Sequence, residues 1–166
     1  MRPADVDESV RPDERPDAYV CRVALDKARA IGERIPGRLV LGADTAVVID
    51  DEILGKPRDV RDATRMLRLL AGRAHTVMTG VALVGSGMGG IATGLAITTV
   101  EFAPISEAEI NWYVASGEPM DKAGAYAIQG LASRFVTRID GSYSNVVGLP
   151  VSLVYDMCKK AGLLLS

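Results

Sequence analysis

The sequence has little of what marks several common classes of protein. Its only two cysteines, Cys21 and Cys158, stand far apart and form no C-x-x-C pair, so they offer neither a disulfide framework nor a zinc motif. No apolar run approaches the ~18 residues of a membrane-spanning helix, and the first residues are too charged for a signal peptide. We therefore expect a cytoplasmic protein without a membrane partner.

A strong charge of one sign is also missing. The 19 lysines and arginines nearly balance the 21 aspartates and glutamates, and the formal net charge is −2. Proteins that coat nucleic acid carry a basic face, so we expect no nucleic-acid partner. Of the 166 residues, 48% are apolar and 24% charged, as in an ordinary enzyme or binding module. This length is typical of one domain, and we predict a single domain over residues 1–166.

Histidine and tryptophan occur once each, as His75 and Trp112. A lone histidine at the entry of a strand more often forms hydrogen bonds within the fold than transfers protons, so we leave His75 out of the catalytic set. Trp112 could stack on a nucleobase. The favoured interpretation is that it packs between lobes or at a homodimer contact.

Apolar periodicity divides the chain into alternating helices and strands. The segment 16–31 has helical spacing, with Pro16 suited to the first turn and Val20, Val23 and Ile31 on one face. The interleaved order favours an α/β fold with a mixed sheet. The predicted elements are helices over 16–31, between Asp59 and Gly72, over 107–115 and over 150–161, and strands over 38–49, 52–54, 75–84, 91–102 and 134–139. Asp59 is predicted to cap the second helix, and Ser106 with Glu109 predicts a capping box at the start of the third.

Two turns are predicted within this pattern. Asp50 and Asp51 lie between the first two strands, where aspartates favour a turn. The segment GSGMGG, residues 85–90, is rich in glycine. A loop that cradles phosphate needs a helix directly after it, and here a strand-like run follows. We therefore predict that this segment is the tip of a hairpin.

Two charged residues lie where the pattern calls for apolar ones. Asp44 interrupts the strand-like run RLVLGADTAVVI. An ionised carboxylate there is costly unless it is paired or bound to a metal, and the alternative is an aspartate that caps a turn at the strand end. Lys27 lies within the apolar stripe of the first helix. Its ammonium group either reaches past the stripe to water or points into a cleft.

The segment 116–130, SGEPMDKAGAYAIQG, is polar, is punctuated by glycine and has no helical or strand period. Its charged residues Glu118, Asp121 and Lys122 either bind a metal or brace one another as ion pairs, and bracing is favoured. Further charged groups follow apolar strands at Asp44 and Lys56. Such a distribution predicts an active site for a polyanion and a metal.

Six short segments in a fixed order resemble the Maf family of septum-formation-type nucleoside triphosphate pyrophosphatases. They are VDES at 6–9, GADT at 42–45, LGKP at 54–57, GRAHTVMTG at 72–80, SGEPMDKAGAYAIQG at 116–130 and GSYSNVVGLP at 141–150. The resemblance implies an elongated, twisted mixed sheet flanked by helices, with two lobes around a central cleft, as in inosine triphosphatase. It also implies hydrolysis of a nucleoside triphosphate to the monophosphate and pyrophosphate.

The resemblance assigns roles in catalysis. It implies that Asp44 is the general base and that Asp44 and Glu8 together bind a divalent cation, Mg²⁺ or Mn²⁺, which prefers oxygen ligands. It also implies that Lys27 and Lys56 hold the phosphates of the nucleotide as positive charges.

Two further positions bear on the substrate. Family members that act on dTTP and UTP are similar to this chain at Thr45, after the aspartate, and at Gln129 in IQG. The proposed role of the two side chains is to bind the pyrimidine edge, because an amide both donates and accepts hydrogen bonds.

One departure from the family pattern leaves alternatives open. Members of the family begin with a strand and a helix that carry a serine-rich SxSPRR segment ahead of VDES, and this segment does not occur here. The expectations are an N-terminally truncated Maf-like domain or a catalytically impaired nucleotide-binding regulator linked to septum formation. A third interpretation is a metal-dependent phosphomonoesterase, because acids and lysines alone do not define which bond breaks.

Overall fold

The computed structural model describes residues 5–85 and 90–163. Within these residues no helix is both long enough and apolar enough to cross a bilayer. The helices are α1 (Pro16–Arg34), α2 (Val60–Leu70), α3 (Glu107–Ala115), α4 (Tyr143–Val147) and α5 (Val151–Lys160), and the strands are β1 (Val40–Ile49), β2 (Glu52–Leu54), β3 (Ala74–Gly85), β4 (Gly90–Phe102) and β5 (Val136–Asp140). Three short 3-10 segments, Glu118–Asp121, Ala123–Ala125 and Leu131–Phe135, lie between α3 and β5.

The five strands form one sheet in the order β2-β1-β3-β4-β5. The α/β class, with a sheet and flanking helices, is confirmed. Where the sequence predicts a mixed sheet, both edge pairs, β1 with β2 and β4 with β5, are antiparallel. The turn predicted at Asp50 and Asp51 joins β1 to β2, and both residues have positive φ, at 49° and 63°. This is the backbone of a tight hairpin turn of type I′, which aspartate tolerates better than most residues.

The described part of the chain forms two compact units. The first unit contains the described residues of 1–45, 79–96 and 148–166, and the second contains 46–78 and 97–147. The strands β1, β3 and β4 contribute residues to both units.

In the first unit, α1 packs closely on the sheet because two strand glycines leave no side chain in the way. A Cβ atom on Gly42 would collide with the backbone oxygen of Ala24, and one on Gly80 with the backbone oxygen of Val20. A glycine in a strand commonly marks such a close backbone approach. A larger residue at either position would push α1 away, together with Lys27, which α1 carries.

The second unit has its own apolar core, formed by α2, α3 and the strand segments of that unit. Both helices begin at the caps that the sequence predicts. The Asp59 side chain accepts a hydrogen bond from the backbone of Asp62 at 2.8 Å. Ser106 and Glu109 form a complete capping box at the start of α3.

Two details differ from the sequence-based predictions, and one prediction is not tested. β5 begins at Val136, two residues late, because a 3-10 segment occupies Leu131–Phe135. The short helix α4 has no apolar period, and its buried residue is Asn145, which donates to the Val77 carbonyl and to Thr98 Oγ1. The predicted tip of the hairpin, residues 86–89, lies outside the described residues.

Candidate active site

Glu8, Lys27 and Asp44 come together in the first unit. The Lys27 ammonium nitrogen lies 2.7 Å from Asp44 Oδ1 and 2.9 Å from Glu8 Oε1. The Asp44 side chain is 9% exposed and the Glu8 side chain 47% exposed, so the cluster runs from the interior to the surface. This geometry resolves the two sequence anomalies: Asp44 is paired, and Lys27 reaches a carboxylate as well as water.

The charges of this cluster are mutually stabilising. Burial by itself lowers the pKa of Lys27, but the hydrogen bonds to Asp44 and Glu8 outweigh it, and the net effect is a raised pKa. Burial raises the pKa of the Tyr19 phenol, and the negative charges of Asp44 and Glu8 raise it further. With Lys27 protonated, the two ionised carboxylates leave the cluster with one formal negative charge.

Tyr19 also fixes the segment that carries Glu8. Its hydroxyl donates to the backbone carbonyl of Glu8 at 3.0 Å. Tyr19 and Lys27 both lie on α1, so one helix supplies the ammonium group for the Glu8 side chain and the hydroxyl for its backbone.

Thr45 follows Asp44 on β1 and belongs to a hydroxyl network of the first unit. Its Oγ1 lies 2.9 Å from Oγ1 of Thr79 on β3 and donates to the carbonyl of Gly148 at 3.4 Å. When the Thr45 proton points to Gly148, Thr79 becomes the donor to Thr45. The Thr79 side chain is fully buried, so the network fixes the rotamer of Thr45 from the interior.

Lys56 and Gln129 belong to the second unit, and both are exposed. Lys56 lies between Gly55 and the buried Pro57, just after β2. Its charge helps to lower the pKa of Asp121, although the larger cause is the hydrogen bond from Lys122 at 3.0 Å. The ion pair predicted within the polar segment is thus confirmed for Asp121 and Lys122.

Glu118 stabilises the segment that carries Gln129 in a way the sequence did not indicate. Its carboxylate accepts hydrogen bonds from the Tyr113 hydroxyl at 2.8 Å and from the Leu131 backbone at 3.0 Å. It also lies where a Cβ atom of Gly130 would be, so only glycine fits beside it. Glu118 therefore braces the backbone next to Gln129 rather than pairing with Asp121 or Lys122.

His75 is structural, as predicted. Its side chain is 3% exposed, its Nε2 lies 2.9 Å from the Tyr126 hydroxyl, and its ring packs edge-on against Phe102. Burial lowers the pKa of His75 to about 4, so the ring is neutral at physiological pH. Trp112 is 44% exposed, and the Arg134 guanidinium lies 4.2 Å from its ring centroid. Stacking of Trp112 on a base and a homodimer contact both stay predictions.

The model of the family described as Maf-like protein matches residues 1–161. The chain belongs to this family. It is 54% identical to a dTTP/UTP pyrophosphatase of Anaeromyxobacter sp. (strain Fw109-5), over 98% of this chain and 78% of that protein. It is 50% identical to a dTTP/UTP pyrophosphatase of Koribacter versatilis, over 99% of this chain and 84% of that protein. It is 51% identical to one of Symbiobacterium thermophilum, over 95% of this chain and 80% of that protein.

The resemblance to Maf-like proteins implies a divalent cation, and the donor set of the first unit is compatible with one. The described residues contain no group of three or more histidine, cysteine, aspartate or glutamate side chains placed to hold a metal. Mg²⁺ commonly takes only one or two carboxylates from the protein and completes its coordination with water and substrate phosphates. Asp44 and Glu8 provide two such carboxylates around one nitrogen, so they fit a cation of this kind.

The sequence did not indicate two residues that contribute to this site, Tyr19 and Thr79. Tyr19 lies on the apolar face of α1, where an aromatic residue is typical of a core. Thr79 lies in a strand, where threonine is common whatever its hydroxyl does. In both cases the deciding contact joins residues far apart in the sequence, and no local pattern signals it.

Proposed function

We propose that the chain hydrolyses dTTP and UTP to the nucleoside monophosphate and pyrophosphate. The observation that carries the proposal is the Glu8, Lys27 and Asp44 cluster, in which a nearly buried carboxylate is oriented by an ammonium group. The chain belongs to the Maf-like family, and its sequence is 54% and 50% identical to those of two relatives named dTTP/UTP pyrophosphatase. The dTTP/UTP specificity is carried over to this chain as a proposal.

Asp44 acts as the general base in this proposal. Its carboxylate takes a proton from a water molecule as the water oxygen bonds to the α-phosphorus, and the bond from that phosphorus to the bridging oxygen breaks. Pyrophosphate leaves with the bridging oxygen. Lys27 donates to Asp44 Oδ1 at 2.7 Å, which orients the base before the water attacks.

Asp44 and Glu8 would hold the divalent cation, Mg²⁺ or Mn²⁺. When bound, such a cation neutralises charge on the phosphate oxygens. The contact of both carboxylates with one nitrogen, at 2.7 and 2.9 Å, supports this assignment because it brings the two carboxylates near each other.

Substrate binding is assigned to four side chains of the family pattern. Lys27 and Lys56 bind phosphate oxygens as positive charges. The Thr45 hydroxyl and the Gln129 amide bind the pyrimidine edge, which offers both donors and acceptors. The network from Thr79 to Thr45 and the brace from Glu118 beside Gln129 support these assignments, because each fixes a side chain or a backbone segment in advance. We further propose that the enzyme acts in the cytoplasm as a homodimer.

The first prediction concerns Asp44. We expect wild-type protein with Mg²⁺ and dTTP or UTP to release pyrophosphate, and Asp44→Asn to lower kcat by about 10²–10⁴-fold, because an amide cannot accept the proton of the attacking water. The measurement is a steady-state assay of pyrophosphate, with chromatographic identification of the monophosphate.

The products decide between the alternatives. Release of orthophosphate instead of pyrophosphate would indicate a phosphomonoesterase. Binding of dTTP without any turnover above the Asp44→Asn background would indicate a nucleotide-binding regulator and would refute the proposed activity.

A further inference from the structure

Three consecutive backbone carbonyls of the N-terminal segment are held by side chains of α1. Arg22 donates through Nη1 to the Asp7 carbonyl at 3.3 Å and through Nη2 to the Ser9 carbonyl at 2.9 Å. Tyr19 donates to the carbonyl between them, that of Glu8, at 3.0 Å. This segment has neither helix nor strand structure around Glu8, so side-chain donors take the place of a backbone ladder.

Arg22 is itself held in a fixed orientation. Its Nε lies 2.6 Å from Glu14 Oε1 and its Nη2 lies 2.9 Å from Glu14 Oε2, which is the two-pronged arrangement of a guanidinium on a carboxylate. The side chains of Arg22 and Glu14 are only 14% and 9% exposed. Glu14 also accepts from the Arg11 backbone at 3.0 Å, so the pair is tied to the N-terminal segment at a further point.

The Arg22 and Glu14 ion pair is stable over a wide pH range. The hydrogen bond from Arg22 is the main reason that the pKa of Glu14 falls to about 2, so Glu14 stays ionised across the pH range in which enzymes work. A lysine in place of Arg22 would keep the charge, but it would lose the planar fork that contacts Glu14 and two carbonyls together.

We propose that Arg22, with Glu14 and Tyr19, forms a clamp that positions Glu8 for the cation and for Lys27. The hydrogen bonds of Tyr19 and Arg22 to residues 7–9 go to backbone carbonyls, while the Glu8 carboxylate contacts Lys27 at 2.9 Å. Arg22 is thus a positioning residue, not a catalytic one. The catalytic consequence rests on the proposed function, whereas the ordering of residues 7–9 does not.

The test compares Arg22→Gln with wild type and with a matched control, Arg15→Gln. Arg15 lies at the start of the same helix and also pairs with a carboxylate, Asp17, at 3.0 Å, but its side chain is 80% exposed. Within the described residues, the guanidinium of Arg15 donates only to Asp17. We expect Arg22→Gln to speed hydrogen exchange of the Ser9 and Arg11 amides by about tenfold or more. The Arg11 amide donates to Glu14, which loses its partner, and the Ser9 amide lies in the segment whose carbonyls Arg22 holds. Arg15→Gln should leave that exchange unchanged.

The second readout is the metal dependence. Loss of an outer partner of a metal ligand commonly weakens metal affinity by about 10–100-fold. We therefore expect Arg22→Gln to raise by at least about tenfold the Mn²⁺ concentration for half-maximal pyrophosphate release and the dissociation constant for Mn²⁺ measured by electron paramagnetic resonance. Arg22→Lys should give an intermediate value.

The outcomes separate positioning from general stabilisation. Exchange of the Ser9 and Arg11 amides within twofold of wild type would overturn the clamp, as would faster exchange with an unchanged Mn²⁺ requirement. If Arg22→Gln does not fold, Tyr19→Phe decides, because it removes only the contact to the Glu8 carbonyl and leaves the Arg22 and Glu14 pair in place. A wild-type protein without activity would refute the proposed function. The hydrogen-exchange experiment would still test the clamp, because it does not depend on activity.

Discussion

At the scale of single residues, the chain contains charged and polar side chains whose surroundings set their protonation. Lys27 is the clearest case, because its ammonium group lies between two carboxylates and its pKa is raised. His75 is the opposite case, because no charge compensates its burial in an aromatic cluster and its pKa falls to about 4. The first arrangement is suited to a functional site and the second to a structural core.

His75 makes stability depend on pH in a specific window. In the unfolded chain this ring has the ordinary histidine pKa of 6.5, whereas in the folded chain its pKa is about 4. Protonation therefore favours the unfolded state as the pH falls from 6.5 to 4, and the contribution of the neutral ring is lost over that range. We expect the unfolding free energy of wild type, relative to His75→Gln, to decrease by about 3 kcal/mol between pH 7 and pH 4.

Urea denaturation of both proteins at the two pH values measures this difference. Glutamine keeps a hydrogen-bonding group near Tyr126 and does not titrate, so carboxylates that protonate in both proteins cancel. A difference that stays constant between pH 7 and pH 4 would show that His75 is protonated equally in the folded and unfolded chains.

At the scale of secondary structure, the sequence predicts elements well where local signals decide them. The apolar stripe of α1, the capping box of α3 and the two-aspartate turn between β1 and β2 are all confirmed. The sequence does not predict α4, because the buried residue of this helix is an asparagine that donates to residues far away in the chain. Lys27 and Asp44 could be identified because each conflicts with its local pattern. Tyr19, Arg22 and Thr79 fit the local patterns of their helix or strand. Their contacts join residues far apart in the sequence, so these contacts could not be predicted.

The contact of α1 with the strands of the first unit depends on glycine. We expect Gly80→Ala to destabilise the protein by about 1–3 kcal/mol, because the added methyl group meets the backbone of Val20 and Cys21. Since α1 carries Lys27, the same substitution should also lower kcat. The measurements are urea denaturation and the pyrophosphate assay.

Gly32→Ala is the matched control on α1. A Cβ atom there meets its nearest neighbours only at 3.9 and 4.0 Å, and alanine is the better helix former. We expect it to stabilise the protein by about 0.5–1 kcal/mol, with activity unchanged. Equal effects of the two substitutions would show that α1 tolerates a shift from the strands of the first unit.

At the scale of the whole molecule, the charge balance works against the proposed substrate. The formal net charge is −2 and the sequence pI is about 5.4, so the protein as a whole does not attract a nucleoside triphosphate. The attraction must therefore come from local positive charge. Lys27 is already paired with two carboxylates. In the proposed function, the divalent cation assigned to Glu8 and Asp44 would supply further positive charge beside them.

This dependence predicts how stability responds to ligands, because a ligand that binds only the folded state raises the free energy of unfolding. With Mn²⁺ and a dTTP analogue that has an imido group between the α- and β-phosphates, at about 100 times the dissociation constant, the gain is about 2.7 kcal/mol. For a chain of this size it corresponds to a rise in Tm of about 5–10 °C. The measurement is differential scanning calorimetry with and without the ligands.

The controls show whether the cation is responsible. A chelator should abolish the rise in wild type, and Asp44→Asn should show a clearly smaller rise because one of the two proposed carboxylate ligands is gone. Arg15→Gln should show the full rise, since its pair with Asp17 takes no part in the cluster. The rise is taken relative to each protein's own ligand-free Tm, because Asp44→Asn also removes the partner of Lys27. An equal rise in Asp44→Asn and wild type would mean that nucleotide binding does not depend on this carboxylate, and the cation would then have to be assigned elsewhere.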